Sequence, residues 1–575
     1  MAYGIHHKRF VENKRAVEDK YLGPLVKTSM NRCIHCTRCV RFATEIGGVT
    51  ELGATGRGED MEITTYLESA MTSELQGNVI DLCPVGALTS KPYAFQARPW
   101  ELIKTETIDA MDAVGSNIRV DTRGREVMRI LPRLHEGINE EWISDKTRFI
   151  WDGLRTQRLD RPYIRSRGKL APASWAEAFA AIATVTKTVP GERIGAIAGD
   201  MATTEEMYAL KRLMNSLGSA NIDCRQDGSA LEPAFGRATY LFNPTIAGIE
   251  DADALLMIGT DPRHEAPIVN ARIRKRWRWG DFPIALIGEK VDLTYPYQHL
   301  GKGTAALAEL AAGTGAFAAT LRSAKRPIIL VGADALARPE GMAILREVAR
   351  IARGGDRDAA WNPLAILHTA AGRVGGLDIG FVPGPRGLEV AGMVEAAGVG
   401  KLDVLFLLGA DEIDVSALGN AFTVYVGSHG DAGAHRADVI LPGAAYTEKN
   451  GTLVNTEGRA QQLKRAAFPP GDARDDWSIL RAMSEVLGHT LPFDSYAELH
   501  AAMTADHPHL AAIDEVTMAG PESLEPLLAV KGTIGSEPFG TAVADFYLTN
   551  PIARASAVMA DCSALAAGRM AEAAE

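Results

Sequence analysis

The chain has 575 residues, 46% of them hydrophobic and 23% charged, with a formal net charge of -11. That acidity argues against a nucleic-acid or anionic-membrane surface, and the apolar content is ample for several cores, about four domains on length alone. The longest apolar runs, such as Val404-Leu405-Phe406-Leu407-Leu408, are strand-sized, and Met1 to Phe10 has no apolar signal core, so any membrane association is expected through a partner rather than a direct span.

In chain order, residues 1–100 form the first unit, and its chemistry lies in Cys33-Ile34-His35-Cys36-Thr37-Arg38-Cys39 with a remote Leu82-Cys83-Pro84. Three thiolates at every third residue, closed by a distant Cys-Pro, are the ligand pattern of one 4Fe-4S cluster on Cys33, Cys36, Cys39 and Cys83. Pro84 fixes its own φ and removes an N–H, so the chain turns away once the last ligand is placed. Zinc sites favour paired knuckles, and six cysteines in a long chain without a secretory signal do not suggest a disulfide framework. Cys224 and Cys562 stand alone and read as packed thiols. His35 reads as a flanking side chain turned away from the cluster; Arg32, Arg38 and Arg41 either favour the reduced cluster or are solvated. Gly53-Ala54-Thr55-Gly56-Arg57-Gly58 lacks the third glycine of a dinucleotide loop and reads as a turn.

Residues 101–155 alternate apolar and polar side chains in Ile118-Arg119-Val120-Asp121 and Glu126-Val127-Met128-Arg129-Ile130-Leu131, which predicts a small antiparallel sheet turning at Thr122 to Arg125. Over 156–490 the pattern changes. Ser174-Trp175-Ala176-Glu177 is a capping box that opens a helix. Apolar runs ending in glycine or an acid follow at Ile194, Ala254, Ile284, Ile328 and Val404, which predicts a large doubly wound parallel-sheet region with ligand-binding turns at its strand ends. Residues 491–575 form an Ala-rich helical or irregular extension.

Lys14-Arg15-Ala16-Val17-Glu18-Asp19-Lys20-Tyr21-Leu22-Gly23-Pro24-Leu25, the cysteine run, Gly56-Arg57-Gly58-Glu59-Asp60 and Gly77-Asn78-Val79-Ile80-Asp81-Leu82-Cys83-Pro84 resemble the large iron-sulfur subunit of respiratory complex I, the NADH:quinone oxidoreductase, in its alphaproteobacterial and mitochondrial 75 kDa form. Beyond residue 160 the chain is similar to the molybdopterin oxidoreductase superfamily, in Arg161-Pro162 with Ser174-Trp175 and in Ala437-Asp438-Val439-Ile440-Leu441-Pro442-Gly443 leading to Asn455-Thr456-Glu457-Gly458-Arg459. The resemblance implies an α/β protein with a 4Fe-4S ferredoxin-like unit, a small β-rich domain and a molybdopterin-oxidoreductase-type region. It implies an electron relay, without bond chemistry of its own, between a flavin- and NADH-binding subunit and quinone-side iron-sulfur subunits, in a respiratory chain coupled to proton translocation. It also implies a peripheral arm on the cytoplasmic face of the bacterial inner membrane, or the matrix side in a mitochondrion.

Two departures from the family follow. Its upstream 2Fe-2S domain and the second 4Fe-4S cluster, held by one histidine and three cysteines, are missing here, and His6 and His7 cannot replace them because no cysteine lies between His7 and Cys33. In the small domain the resemblance puts Asp109, Asp112, Ser116 and Ser144 where molybdopterin enzymes carry cluster cysteines, so no second cluster is expected there. The alternative is a catalytic molybdopterin oxidoreductase of formate dehydrogenase type. In Asn221-Ile222-Asp223-Cys224-Arg225-Gln226-Asp227-Gly228-Ser229, however, Cys224 falls too early for a metal ligand, so no molybdopterin is expected.

Overall fold

The computed structural model describes residues 16–568 together with 4 and 9–11; His6, His7, Lys14 and Arg15 lie outside the described residues. Two compact units divide the chain, Met1–Phe95 and Gln96–Glu575, and each is described by itself.

In the first unit the ends of a long loop are tied by a short antiparallel pair, Val26–Thr28 with Leu88–Ser90, registered Val26 to Ser90 and Thr28 to Leu88. Ser29 N–H donates to the Ala87 carbonyl at 2.8 Å and extends that pairing toward the cysteines. A second hairpin pairs Leu52–Thr55 with Glu62–Thr65. The glycine segment at 53–58 is therefore half strand, a correction to the turn that its composition suggests. Cross-strand pairing outweighs the low strand propensity of Gly53 and Ala54. The bend needs Gly56, whose φ is +74° and where a Cβ would stand 2.3 Å from the Asp60 carbonyl oxygen.

The second unit begins with a three-stranded antiparallel sheet, Ile103–Ile108, Asn117–Arg123 and Glu126–Pro132. Ser144 then caps the helix Asp145–Phe149, its hydroxyl accepting the Thr147 N–H at 3.2 Å. The predicted capping box is formed: the Glu177 N–H donates to the Ser174 hydroxyl and the Ser174 N–H to the Glu177 carboxylate, opening the helix Trp175–Thr186.

The apolar runs build two sheets where the strand pattern suggests one doubly wound region. One has seven strands in the order Asn221–Asp223, Ile194–Ala198, Val404–Leu408, Phe422–Gly427, Val439–Pro442, Tyr163–Ser166, Lys169–Pro172. The first five are parallel and the last two antiparallel. The other has five parallel strands in the order Gln298–Gly301, Ile284–Ile287, Ala254–Ile258, Pro327–Gly332, Leu364–Leu367. Strands such as Ala254–Ile258 and Val404–Leu408 are buried at every position, as expected for sheets covered on both faces.

Each sheet reverses its winding once, between Ile194–Ala198 and Val404–Leu408 in the first and between Ala254–Ile258 and Pro327–Gly332 in the second. At both places two glycines let backbones touch. A Cβ on Gly199 would lie 1.8 Å from the Gly409 carbonyl oxygen, and one on Gly332 would lie 2.1 Å from that of Gly259. No side chain fits between these strand ends, so the chain leaves both sheets at a fixed place. The C-terminal segment is more than a tail. Phe539 is buried, its N–H bonds the Lys302 carbonyl at 2.8 Å, and Arg338 donates to the carbonyls of Glu537 and Pro538. Helix Ala557–Ala566 ends the described chain, with Ser556 at its N-cap.

Candidate metal centre

The paired strands Val26–Thr28 and Leu88–Ser90 bring the two cysteine stretches together, since Cys33 follows the first by five residues and Cys83 precedes the second by five. Asp19 and Asn31 hold the approach: the Met30 N–H donates to Asp19 and the Val17 N–H to Asn31, each at 2.8 Å. Cys83 caps the helix Asn78–Leu82, donating its N–H to the Val79 carbonyl. Pro84 and the left-handed Gly86, φ +65°, then turn the chain back, and the Leu88 N–H points at the Cys83 sulfur at 3.4 Å.

Between the clustered cysteines the backbone is strained. His35 and Thr37 both adopt left-handed φ values, 55° and 59°. For a β-branched threonine that conformation is a true outlier, and such strain is retained where surrounding structure demands it. Alternating the hand of successive residues curls the peptide N–H groups into a concave nest suited to an anion such as a thiolate-ligated cluster. Thr37 then opens the short helix Arg38–Arg41, which carries Cys39.

All four cysteines line one pocket, together with Met30, Ile34, Ile63, Val85 and Leu88. Burial pushes the Cys39 thiol up to about 11, the Val40 N–H opposes that rise, and the charges of Cys33, Cys36 and Cys83 add to it. Four thiols that sense one another in an apolar wall form a donor set suited to soft iron, whose binding deprotonates its thiols outright. Among the described residues no three His, Cys, Asp or Glu side chains are gathered as they would be about one metal ion. A cube ligated at its corners asks for wider spacing than a single ion does.

His35 is not on the pocket wall, and its Nε2 is buried without a hydrogen-bond partner. Arg32, Arg38 and Arg41 are exposed; Arg41 spends its charge on Glu45 at 2.9 Å, and only Arg38 reaches the pocket. Spacing reasoning singles out the four cysteines that share the pocket but misses Asp19, Asn31 and Ile63, because nothing in a sequence says which distant side chain props a loop.

The four positions in the small domain lie close together in a different chemistry. Asp109, Asp112, Ser116 and Ser144 are all buried. Asp109 accepts the Thr147 hydroxyl at 2.7 Å, that hydroxyl meets the Ser144 hydroxyl at 2.9 Å, and Asp112 accepts the Val114 N–H. Lys146 sits among them, buried, donating to Thr549 at 3.0 Å, with Asp112 and Asp109 as its charge partners. Burial first, and then the charge of Asp112, pushes the Asp109 carboxyl up to about 7. Cys224 is likewise buried, close against Gly376, and burial pushes its thiol up to about 12.

Two sheets with parallel cores and glycine-lined switch points, in a chain that also carries a thiol-bearing ferredoxin-like unit, define an iron-sulfur relative of the molybdopterin oxidoreductases. The family model described as molybdopterin oxidoreductase matches residues 158–486. Two others match at 23–89 (NADH-quinone oxidoreductase subunit 3, ferredoxin-like domain) and 102–152 (NADH-ubiquinone oxidoreductase NDSU1/NuoG-like, 4Fe-4S domain), and a C-terminal domain family of NADH-ubiquinone oxidoreductase matches 515–562. Among curated relatives, the 78 kDa mitochondrial subunit of NADH-ubiquinone oxidoreductase from Neurospora crassa is 50% identical over 98% of this chain and 76% of its own length. The mitochondrial NADH dehydrogenase [ubiquinone] iron-sulfur protein 1 of Solanum tuberosum is 48% identical over 98% and 75%. The 75 kDa subunit of NADH-ubiquinone oxidoreductase from Reclinomonas americana is 46% identical over 98% and 83%. The chain belongs to the family of 75/78 kDa iron-sulfur subunits of NADH-ubiquinone oxidoreductase, complex I, and the formate dehydrogenase reading is not favoured.

Proposed function

We propose that Cys33, Cys36, Cys39 and Cys83 hold one 4Fe-4S cluster, through which the chain relays electrons within NADH:quinone oxidoreductase from the flavin- and NADH-binding subunit toward the quinone-side iron-sulfur subunits. The observation that carries this reading is the convergence of four thiols on one apolar pocket inside the stretch that matches the ferredoxin-like family. Bound there, the cluster supplies one-electron chemistry. The chain's own part is to fix the thiols, turn away after Cys83 and keep bulk water off the sulfurs with Met30, Ile63 and Leu88.

In this reading residues 102–152 carry no cluster, because that stretch contains no cysteine. The sheets carry no molybdopterin, because Cys224 packs into the core instead of facing a cleft. The family's 2Fe-2S cluster and its cluster on one histidine and three cysteines lie outside these 575 residues, where the first cysteine is Cys33. No helix among the described residues is long and apolar enough to cross a membrane. In this reading the chain sits in the peripheral arm, on the cytoplasmic face of a bacterial inner membrane or the matrix side in a mitochondrion.

The test is anaerobic purification with iron analysis and EPR of the reduced chain. About four irons per chain and one 4Fe-4S signal are expected. Two interacting clusters, or zinc as the only metal, would overturn the ligand assignment. Stoichiometric molybdenum with a released pterin would overturn the relay assignment in favour of a catalytic oxidoreductase.

A further inference from the structure

Between helix Asp476–Leu487 and the C-terminal family match at 515–562 the chain runs along the surface of the second unit, and over residues 496–514 the only buried apolar side chains are Leu499, Met503 and Leu510. A segment with so few apolar anchors belongs to the low-stability end of a fold, where its polar ties decide how firmly it is held. Three of those ties are histidine–carboxylate pairs. His500, on helix Tyr496–Asp506, places Nδ1 2.9 Å from Glu205 of helix Thr204–Ser216. His509 places Nε2 3.4 Å from Asp378, and Asp514 receives Nε2 of His135, which precedes the small domain's short helix, at 3.2 Å.

The three pairs differ in what else stands beside the carboxylate. Asp378 also accepts Arg237, at 2.8 and 2.9 Å, and the Tyr240 hydroxyl, and Asp514 also pairs with Arg459 at 3.4 Å. Glu205 has no such support. Its side chain is buried, its other donors are the Thr452 N–H and hydroxyl, both at 2.7 Å, and the Tyr496 hydroxyl at 2.8 Å, and among the described residues the only cationic side chain paired with it is His500. The charges nearby answer one another: Lys449 pairs with Glu206 and Asp476, and Arg212 with Asp506. His507 packs edge-on against Tyr208 and His509, and burial first, then the charge of Lys211, holds its imidazole below the usual value. The hydrogen bond from Glu205 raises the His500 imidazole above its usual value, against the opposing pull of burial.

A buried carboxylate is costly without a counter-charge, and histidine is the cationic side chain whose charge ordinarily changes between about pH 5 and 8. A histidine that holds its proton more tightly in the folded chain than in the unfolded one contributes stability that is full below its unfolded pKa and is lost as pH rises through the folded value. Neutral His500 can still donate one N–H to Glu205, so the tie weakens without breaking. We propose that residues 496–514 form a pH-sensitive strap, fastened on the acid side by His500 on Glu205 and loosened toward local opening as the pH rises through neutrality.

Hydrogen exchange read by mass spectrometry on the purified 575-residue chain tests this, with peptides from Tyr496–Asp506 compared with those from the preceding helix Asp476–Leu487. After correction for the intrinsic exchange rate, protection of the first helix is expected to fall about fivefold relative to the second between pH 6 and pH 8.5, the scale of one ion pair with a solvent-touching partner. Using the neighbouring helix as reference removes any pH effect on global stability, which moves both alike. His500→Gln, which still donates to Glu205 but does not titrate, should remove the fall. Glu205→Gln should remove it too, and decides the matter if circular dichroism shows His500→Gln unfolded. His509→Gln should keep most of it, because Arg237 remains on Asp378. No relative fall in the unaltered chain, or one that persists in His500→Gln or Glu205→Gln, would overturn the proposal.

Discussion

Residues 23–89 and 102–152 both match families described by their ferredoxin-like or 4Fe-4S character, yet they have solved opposite problems. The first presents four thiols to a pocket, with one cysteine exposed and two residues of the ligand loop held in left-handed strain. In the second, the four positions that the family resemblance places at cluster ligands are all buried acids and hydroxyls, and Asp109, Ser144 and Thr147 bond one another. The stretch with thiols is open and strained; the one without them is closed around hydrogen bonds and a buried lysine. The cap and short helix next to the sheet are held by these bonds, although Asp109 Oδ1 is buried without a hydrogen-bond partner.

The largest expected effect separates the two regions outright. Cys83→Ala should abolish the EPR signal and the bound iron, and it should leave the first unit open to proteolysis while the second stays intact. On the proposed ligand set, ligation would close a loop from Cys39 to Cys83, and metal binding of this kind contributes to folding itself. A resistant first unit in the iron-free variant would show that its small core suffices alone. Next in size is Lys146→Met. It strands Asp109 and Asp112 in the interior without their counter-charge and should cost about 3–5 kcal/mol by denaturant unfolding at pH 8. A loss below about 1 kcal/mol would mean that hydrogen bonds alone hold the network.

A smaller effect has a definite sign. The Asp109 carboxyl is raised by burial and by Asp112 from 3.8 to about 7, so the folded state keeps a proton that the unfolded chain releases. Stability from this group is full below pH 4 and is lost as pH rises toward 7, which makes the protein less stable at pH 8 than at pH 5. Asp109→Asn can still accept the Thr147 hydroxyl. It should flatten that decline and gain ~2 kcal/mol at pH 8, with no change at pH 4. Unfolding curves at the two pH values check it; an equal shift at both would point to packing and not to the proton.

What the sequence discloses follows the same division. That Cys33, Cys36, Cys39 and Cys83 belong together is legible because soft-metal chemistry demands one residue type at fixed spacing, and all four line one pocket. The strands at Ile194, Ala254, Ile284, Ile328 and Val404 are legible because burial on both faces leaves an unbroken apolar run. That these strands divide into two sheets is not legible, since pairing partners are chosen by contacts far apart in the chain. Nor is the hairpin at Leu52–Thr55, which borrows its shape from Glu62–Thr65. The buried role of Lys146 is hidden because a lysine next to an aspartate reads as solvated until its neighbours are known.

The smallest expected effect tests whether the strain in the ligand loop serves the cluster. Thr37 holds φ 59°, and its hydroxyl bonds the carbonyl of its neighbour Cys36, at 2.8 Å, with no distant partner for its side chain among the described residues. Asparagine tolerates the left-handed region far better than a β-branched residue and has an amide that can bond locally. Thr37→Asn should therefore stabilise the iron-free chain by ~0.5 kcal/mol, a fraction of the cost of such an outlier, and leave the EPR spectrum of the loaded chain unchanged. If the backbone conformation is what aims Cys36 and Cys39, a residue that prefers that conformation should also speed reconstitution, because less of the loop must be ordered by the incoming iron. The opposite result, slower loading with an altered spectrum, would mean that the threonine side chain touches the cluster, and that the strain is a by-product of that contact rather than the means of placing the thiols.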